Sequence, residues 1–186
     1  MHESIIFKEP MARHFSTDQS EGQRNDQPEI SDDPRTLYTL PYAKLIDGLT
    51  DIIYPVNNVT SSSGKTITVR ASEARVDRYV FFRAAWDNKF AESSLKALQV
   101  FTILVFENYQ NHFIELTEDQ KNEAIALLEN GKLTEKLPQY DIAYQKSLFK
   151  SLHGIVSEGL FSEPGYGGNN NGIGWYYSNF MSLEEV

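Results

Sequence analysis

The chain of 186 residues contains no cysteine. Disulfide bonds, thiolate metal sites and cysteine nucleophiles are therefore excluded. The compartment stays open, because reducing and oxidising spaces both hold proteins without cysteine. At this length we expect one domain with its own hydrophobic core, accompanied by a tail.

Positive charge is scarce as well, since 17 lysines and arginines stand against 26 carboxylates, for a formal net charge of −9. This balance disfavours nucleic acid, whose phosphates require a basic surface. It also disfavours the anionic surface of a membrane. No run of the sequence approaches the roughly 20 apolar residues that cross a bilayer.

Targeting signals are equally weak at the start of the sequence. Residues 1–19 hold one short apolar run, Ile5, Ile6 and Phe7, and no arginine pair. They predict neither a secretory signal nor a twin-arginine signal. On the sequence, we expect a cytoplasmic chain, unless it travels on a partner or was cut from a longer precursor.

The usual catalytic signatures are missing. A dinucleotide loop needs G-x-G-x-x-G between a strand and a helix, and counting from Gly165 the third glycine position holds Asn170. The four histidines form no H-E-x-x-H motif, and Ser157 lacks the G-x-S-x-G frame. Glu158 and Glu163 are close in sequence, but an acidic chain offers such pairs by chance. The chain itself is predicted to hold no catalytic residue, no metal and no cofactor.

Residues 1–35 are predicted to be a polar, acidic N-terminal arm. From residue 18 to residue 35 the sequence is almost entirely polar or charged, with Pro28 and Pro34. Such a segment buries too little apolar surface to offset its ordering entropy. Two interpretations remain: a disordered, solvated arm, or an arm that wraps a partner and orders on binding. Residues 36–186 are predicted to be the folded domain.

Helical periodicity dominates this domain and predicts an all-α, compact bundle of about five helices. Residues 57–68 are expected to form a polar connection; Ile67, Thr68 and Val69 are only weak evidence for a strand. Thr117 and Gln120 have the spacing of a capping box, and Gly131 occupies a helix-ending position. The predicted helices are 45–53, about 72–90 with a stripe that includes Trp86, about 92–111, about 117–128, and about 140 to the region of Gly159.

The segment after this last helix is the most unusual part of the sequence. Glycine and asparagine alternate there with large aromatic residues, from Phe161 to Trp175. Glycine permits left-handed backbone and close approach, while aromatic rings supply contact area. Either the aromatics pack back on the helices and close the bundle, or the loop docks on a partner, where Tyr and Trp are over-represented.

The sequence EGLFSEPGYGGNNNGIGW at 158–175 resembles the E-G-x-[FL]-[SA]-[DE]-P-x-Y-G-G-N…G-W signature of the gluconate 2-dehydrogenase subunit 3 family. Looser similarity covers about residues 37–180. It includes LIDGLTDIIYP at 45–55, with Tyr54 inserted ahead of the proline, ARVDRYVFF at 74–82, and the L-T-x-x-Q run that ends at Gln120.

This resemblance implies a non-catalytic small subunit of a bacterial sugar or sugar-acid dehydrogenase. The large subunit would be an FAD-dependent flavoprotein of the glucose–methanol–choline type, and a multihaem cytochrome c often accepts the electrons. The small subunit would aid the folding, stability or export of the large one. The resemblance implies contact with the large subunit at Glu158, Phe161, Tyr166, Gly167, Gly168, Asn169 and Trp175.

Two features depart from the family pattern. Many relatives begin with a twin-arginine signal and are periplasmic, and the acidic arm has no counterpart in the pattern. Two other functions also stay open. One is a free-standing module that binds a sugar or a peptide through the aromatic loop. The other is an enzyme whose site would use Glu158, His153 and Tyr166.

Overall fold

Six α-helices and one β-hairpin form the described part of this computed structural model, which covers residues 31–60, 64 and 66–178. Most of the predicted arm, residues 1–30, lies outside the described residues. Within the described part, no helix is long and apolar enough to cross a membrane. The elements are α1 Leu40–Ile53, β1 Asn57–Thr60, β2 Thr66–Val69, α2 Val76–Ala84, α3 Asn88–Tyr109, α4 Glu118–Asn130, α5 Ile142–Phe161 and α6 Ile173–Tyr177.

The mostly helical prediction is confirmed, and the longest helix, α3, lies in the core. It packs against α2 and α5 and against the short 3-10 helix Pro34–Tyr38. Residues 97–101 of this helix are all buried, so its middle is covered on every side, as expected for a central helix. The buried α3 residues are Phe90, Ala91, Ser94, Leu95, Ala97, Leu98, Gln99, Val100, Phe101, Leu104 and Val105.

The predicted boundary between the second and third helices was wrong. α2 ends at Ala84 and α3 begins at Asn88, not near residues 90 and 92. The reason is a cap: the Asp87 carboxylate accepts the Phe90 backbone N–H at 3.0 Å and satisfies a donor that the first turn leaves free. Trp86 therefore does not continue the buried stripe of α2, and it is 67% exposed.

The start and end predicted for α4 are confirmed. Thr117 and Gln120 exchange both capping-box hydrogen bonds. At the other end Gly131 has the left-handed φ of +72°, and an added Cβ would lie 2.7 Å from Ile142. Glycine is required at this position both by the backbone angle and by the space.

The connection predicted over residues 57–68 is in part a hairpin, which is a correction. β1 and β2 pair antiparallel, with Val59 opposite Ile67. Val59 and Val69 are buried against Tyr176 of α6, so a small second core covers one face of the hairpin. Alternation in β1 is short and mostly polar, which is why the sequence pattern did not show it.

A buried glutamine fastens the connection between α4 and α5. Gln145 is 2% exposed, and its side-chain carbonyl accepts the Leu133 backbone N–H at 2.8 Å. Its amide donates to the backbone carbonyls of Thr134 and Tyr140, each at 2.8 Å. Three backbone groups of an irregular segment are thus satisfied by one side chain.

Gln145→Leu is expected to lower the free energy of unfolding by about 2–4 kcal/mol, because it leaves these three groups without a partner in a buried site. Urea denaturation measures this change. Lys146→Leu is the matched control, since Lys146 is the exposed neighbour and should change stability by no more than about 0.5 kcal/mol. Equal effects of the two substitutions would contradict the role of Gln145.

An incompletely satisfied carboxylate lies where α1 faces α2. The Oδ1 atom of Asp47 is buried without a hydrogen-bond partner. Burial, together with the nearby charge of Asp77, raises the pKa of Asp47 to about 6, although Arg75 opposes the shift. Arg75 is itself held by Asp77 in a bidentate pair with both distances at 2.9 Å.

Asp47→Asn is expected to stabilise the protein at pH 7 by about 1 kcal/mol, after allowance for screening of a half-exposed carboxyl. The folded-state pKa lies above the unfolded value, so protonated Asp47 favours folding at low pH, and this contribution is lost as the pH rises through about 6. Denaturation from pH 3.5 to 8 should show the two proteins converging below pH 4. A constant difference across this range would contradict the assignment.

Candidate partner interface

The chain after α5 folds back over the last turn of that helix. α5 runs to Phe161, two residues beyond the predicted end at Gly159. The Gly159 carbonyl lies in the last turn of α5, where carbonyl groups have no donor within the helix. It accepts hydrogen bonds from the Asn169 backbone N–H at 3.0 Å and from the Ser162 hydroxyl at 3.2 Å. The glycine-rich segment therefore serves as the cap of α5.

Asn169 fastens this fold-back segment. It is fully buried and has a left-handed φ of +47°. Its side-chain amide donates to the Ser162 carbonyl at 2.8 Å, and its side-chain oxygen accepts the Gly174 N–H at 2.7 Å. One side chain thus joins the end of α5 to the start of α6, in an arrangement that we call the Asn169 clasp.

Two glycines allow the backbone to approach α5 this closely. A Cβ on Gly168 would lie 2.2 Å from the Gly159 oxygen, and one on Gly174 would lie 1.8 Å from the Leu160 oxygen. Any side chain at either position would force the segment away from the helix. Gly168 and Asn169 are both buried, so these two residues of the motif support the loop from its interior.

Glu158 joins α5 to α2. Its carboxylate accepts hydrogen bonds from Arg83 and from the Tyr79 hydroxyl, the latter at 3.3 Å. Arg83 also pairs with Asp87 at 3.5 Å and lies 4.1 Å from the centre of the Phe90 ring. Burial, opposed by the hydrogen bond from Arg83, raises the pKa of Tyr79, which therefore remains a protonated donor at neutral pH.

Three exposed aromatic rings border this junction: Phe82, Trp86 and Tyr166, which we call the aromatic patch. Phe82 is 46%, Trp86 67% and Tyr166 47% exposed. The Phe82 ring centre lies 5.8 Å from that of Trp86 and 6.3 Å from that of Tyr166. A cleft of about 380 Å³ lies beside the patch, lined by Tyr79, Arg83, Trp86, Asp87, Ser162 and Tyr166.

The residues that the resemblance implied do not form one surface. Tyr166 lines the cleft, and Glu158 bonds to two of its other lining residues, Tyr79 and Arg83. Phe161 is 37% exposed and packs edge-on against Tyr54 at 5.5 Å. Trp175 lies half-buried on α6. Gly167 has a φ of +93° and supports the turn before the clasp. Whether these residues touch a partner stays a prediction.

Phe82 and Trp86 were missed as candidate contact residues. Trp86 lies two residues beyond the end of α2, and its ring packs against that of Phe82, with the ring centres 5.8 Å apart. The sequence pattern predicts Trp86 on the core stripe of that helix. Recognising Asp87 as the cap of α3 would have shown that Trp86 lies outside both helices.

The described residues give little support to a catalytic site. The Ser157 hydroxyl lies 3.2 Å from His153 Nδ1 and 2.8 Å from the Tyr54 hydroxyl, but it also donates back to the His153 carbonyl at 2.7 Å. Glu158 bonds instead to Arg83 and Tyr79 of α2. No group of three metal-binding side chains occurs in the part of the chain that the structure describes.

Asn169→Ala is expected to lower the free energy of unfolding by about 2–3 kcal/mol, because the buried Gly174 N–H and the Ser162 carbonyl lose their partner and alanine tolerates positive φ poorly. Thermal or urea denaturation measures the loss. Asn170→Ala is the control, since the Asn170 side chain makes a long 3.5 Å contact with the Glu73 carbonyl. A loss below that of the control would show that the clasp contributes little.

Comparison with known proteins identifies the family of this chain. Searches of curated proteins and of solved structures gave no significant match to the chain. The family model for gluconate 2-dehydrogenase subunit 3 matches residues 42–180. This range includes α1 from its third residue, all the later helices and the whole Asn169 clasp. The chain therefore belongs to the gluconate 2-dehydrogenase subunit 3 family.

Proposed function

We propose that this chain is a non-catalytic small subunit that binds and stabilises a larger, FAD-dependent dehydrogenase of the glucose–methanol–choline type. The family assignment supports a subunit role in a dehydrogenase complex. The observation that carries the proposal on this molecule is the aromatic patch, where three large rings are exposed on an otherwise strongly acidic chain.

The patch has the properties of a binding surface. Trp and Tyr are enriched among residues that dominate binding energy, and each ring can bury about 150–250 Å². The surface beneath it is rigid, because Glu158 and Arg83 join α5 to α2 and the Asn169 clasp fixes the turn that follows Tyr166. Binding to such a surface orders few additional side chains, which lowers the entropic cost of association.

Catalysis and cofactors belong to the partners in this proposal. FAD would lie in the large subunit, and haem c in a possible third, cytochrome subunit. The substrate, gluconate or a related sugar or polyol, would be selected by the large subunit. This chain would contribute stability, maturation or export of the complex, with no nucleic acid and no membrane insertion of its own.

The test is co-expression with a large flavoprotein subunit encoded in the same genome, followed by measurement of the complex. Trp86→Ala and Tyr166→Ala should each weaken binding about thirtyfold or more, as expected when an interface anchor loses about 2 kcal/mol. Ile142→Ala is the control, because Ile142 is 59% exposed at the opposite end of α5.

The outcomes test the location of the interface and the accessory role separately. If both aromatic variants bind like the control, the patch is not the interface. If the unsubstituted chain forms no complex with the flavoprotein, the accessory role itself is refuted. Melting temperatures of the isolated variants should stay close to that of the parent chain, so that a binding loss is not an unfolding effect.

A free-standing module for a sugar or a peptide is the second candidate. The cleft beside the patch favours it, because aromatic faces lie next to the polar groups of Arg83 and Asp87, as sugar-binding clefts require. Calorimetry on the isolated chain with a panel of sugars distinguishes the two functions. Heat of binding that is lost in Trp86→Ala would favour this module.

A further inference from the structure

A second apolar surface, distinct from the aromatic patch, lies between the start of α1 and the segment after α3. It is a groove of about 440 Å³, which we call the α1–α3 groove. It shares no lining residue with the cleft beside the patch. Its main lining residues are Tyr42, Leu45, Thr102, His112, Phe113 and Ile114.

The floor of this groove is preformed. Phe113 is 2% exposed, and its ring packs edge-on against Phe101 of α3 at 5.1 Å. The rim is open, since Ile114 is 41% exposed and Leu40, beside the groove, is 67% exposed. Apolar side chains therefore remain in water around a well-packed apolar floor, a combination typical of a binding groove.

The N-terminal arm joins the folded domain next to this groove. The carbonyl of Ser31, the first described residue, accepts the Gln99 side-chain amide at 2.8 Å. The hydroxyl group of Tyr42, which lines the groove, lies near the same Gln99 side chain. Thr102, another lining residue, lies three residues further along α3, a rise of about 4.5 Å. The arm is thus tethered within about one helical turn of the groove.

The arm itself contains one concentrated apolar segment. Ile5, Ile6 and Phe7 are consecutive, whereas residues 18–30 are almost entirely polar. The 23 residues from 8 to 30 can reach at most about 80 Å, so their length allows the apolar segment to return to a groove beside the attachment point. A tether of this kind gives an effective concentration near the millimolar range, so even weak intrinsic affinity fills the groove.

We propose that Ile5, Ile6 and Phe7 of the same chain occupy the α1–α3 groove. The contact covers apolar surface that would otherwise promote association of an isolated subunit. The groove is a different surface from the aromatic patch, so the test of this contact is independent of the test of the proposed function.

The absence of cysteine makes a direct test simple. Glu9→Cys carries a single nitroxide label two residues beyond Phe7 and leaves the apolar segment intact. In the full-length chain, we expect the amide NMR signals of Thr102, Phe113 and Ile114 to lose most of their intensity until the label is reduced. A label at Ser20→Cys, in the polar part of the arm, is the matched control and should broaden these signals much less.

Two further variants make the result specific. Ile5→Ser with Phe7→Ser, carrying the Glu9→Cys label, should restore the groove signals, and so should Ile114→Asp in the groove. Unchanged signals with the intact, labelled arm would overturn the proposal. Broadening that survives the serine substitutions would also overturn it. Broadening that appears when a labelled chain is mixed with a separate isotope-enriched chain would overturn it as well, because it would indicate that a second copy occupies the groove.

Discussion

The return of the backbone over the last turn of α5 is the constraint on which the segment after α5, including α6, depends. The free carbonyls of a helix end need donors, and Gly159 finds them in Asn169 and Ser162. The returning backbone lies so close to the helix that only glycine fits at Gly168 and at Gly174. The position of α6, and with it the cover of the hairpin by Tyr176, follows from that one reversal.

The same reversal links the family motif to residues far away in sequence. Tyr166 lies on the outer side of the turn that Asn169 secures, and Phe82 of α2 lies next to it. α2 is held in place by Glu158, which is also part of the motif, through Arg83 and Tyr79. The motif thus contributes one exposed ring directly and positions two others indirectly. The fold itself therefore explains why Asn169, Glu158 and the glycines stand at their positions in the motif, whether or not they contact a partner.

Local signals in the sequence predicted some elements well and missed others for physical reasons. Thr117, Gln120 and Gly131 determine α4 through contacts within a few residues, so its ends could be predicted. Asp87 is equally local as a helix cap, but the apolar run around it concealed the break between α2 and α3. The hairpin depends on burial of Val59 and Val69 by Tyr176, a contact across more than a hundred residues that no local pattern shows. The aromatic patch was missed for both reasons: Trp86 follows the concealed end of α2, and Tyr166 meets Phe82 only through a tertiary contact.

An accessory subunit has to expose apolar surface for its partner without associating with its own copies. The net charge of −9 helps, because like-charged copies repel one another at long range, although salt screens this repulsion over about 8–10 Å. Charge alone therefore protects poorly against contact between apolar surfaces at short range. Covering the α1–α3 groove with a segment of the same chain would remove one apolar surface from water and leave the aromatic patch free for the partner. The acidic linker of the arm would then serve two purposes, since it carries the covering segment and adds to the repulsion between copies.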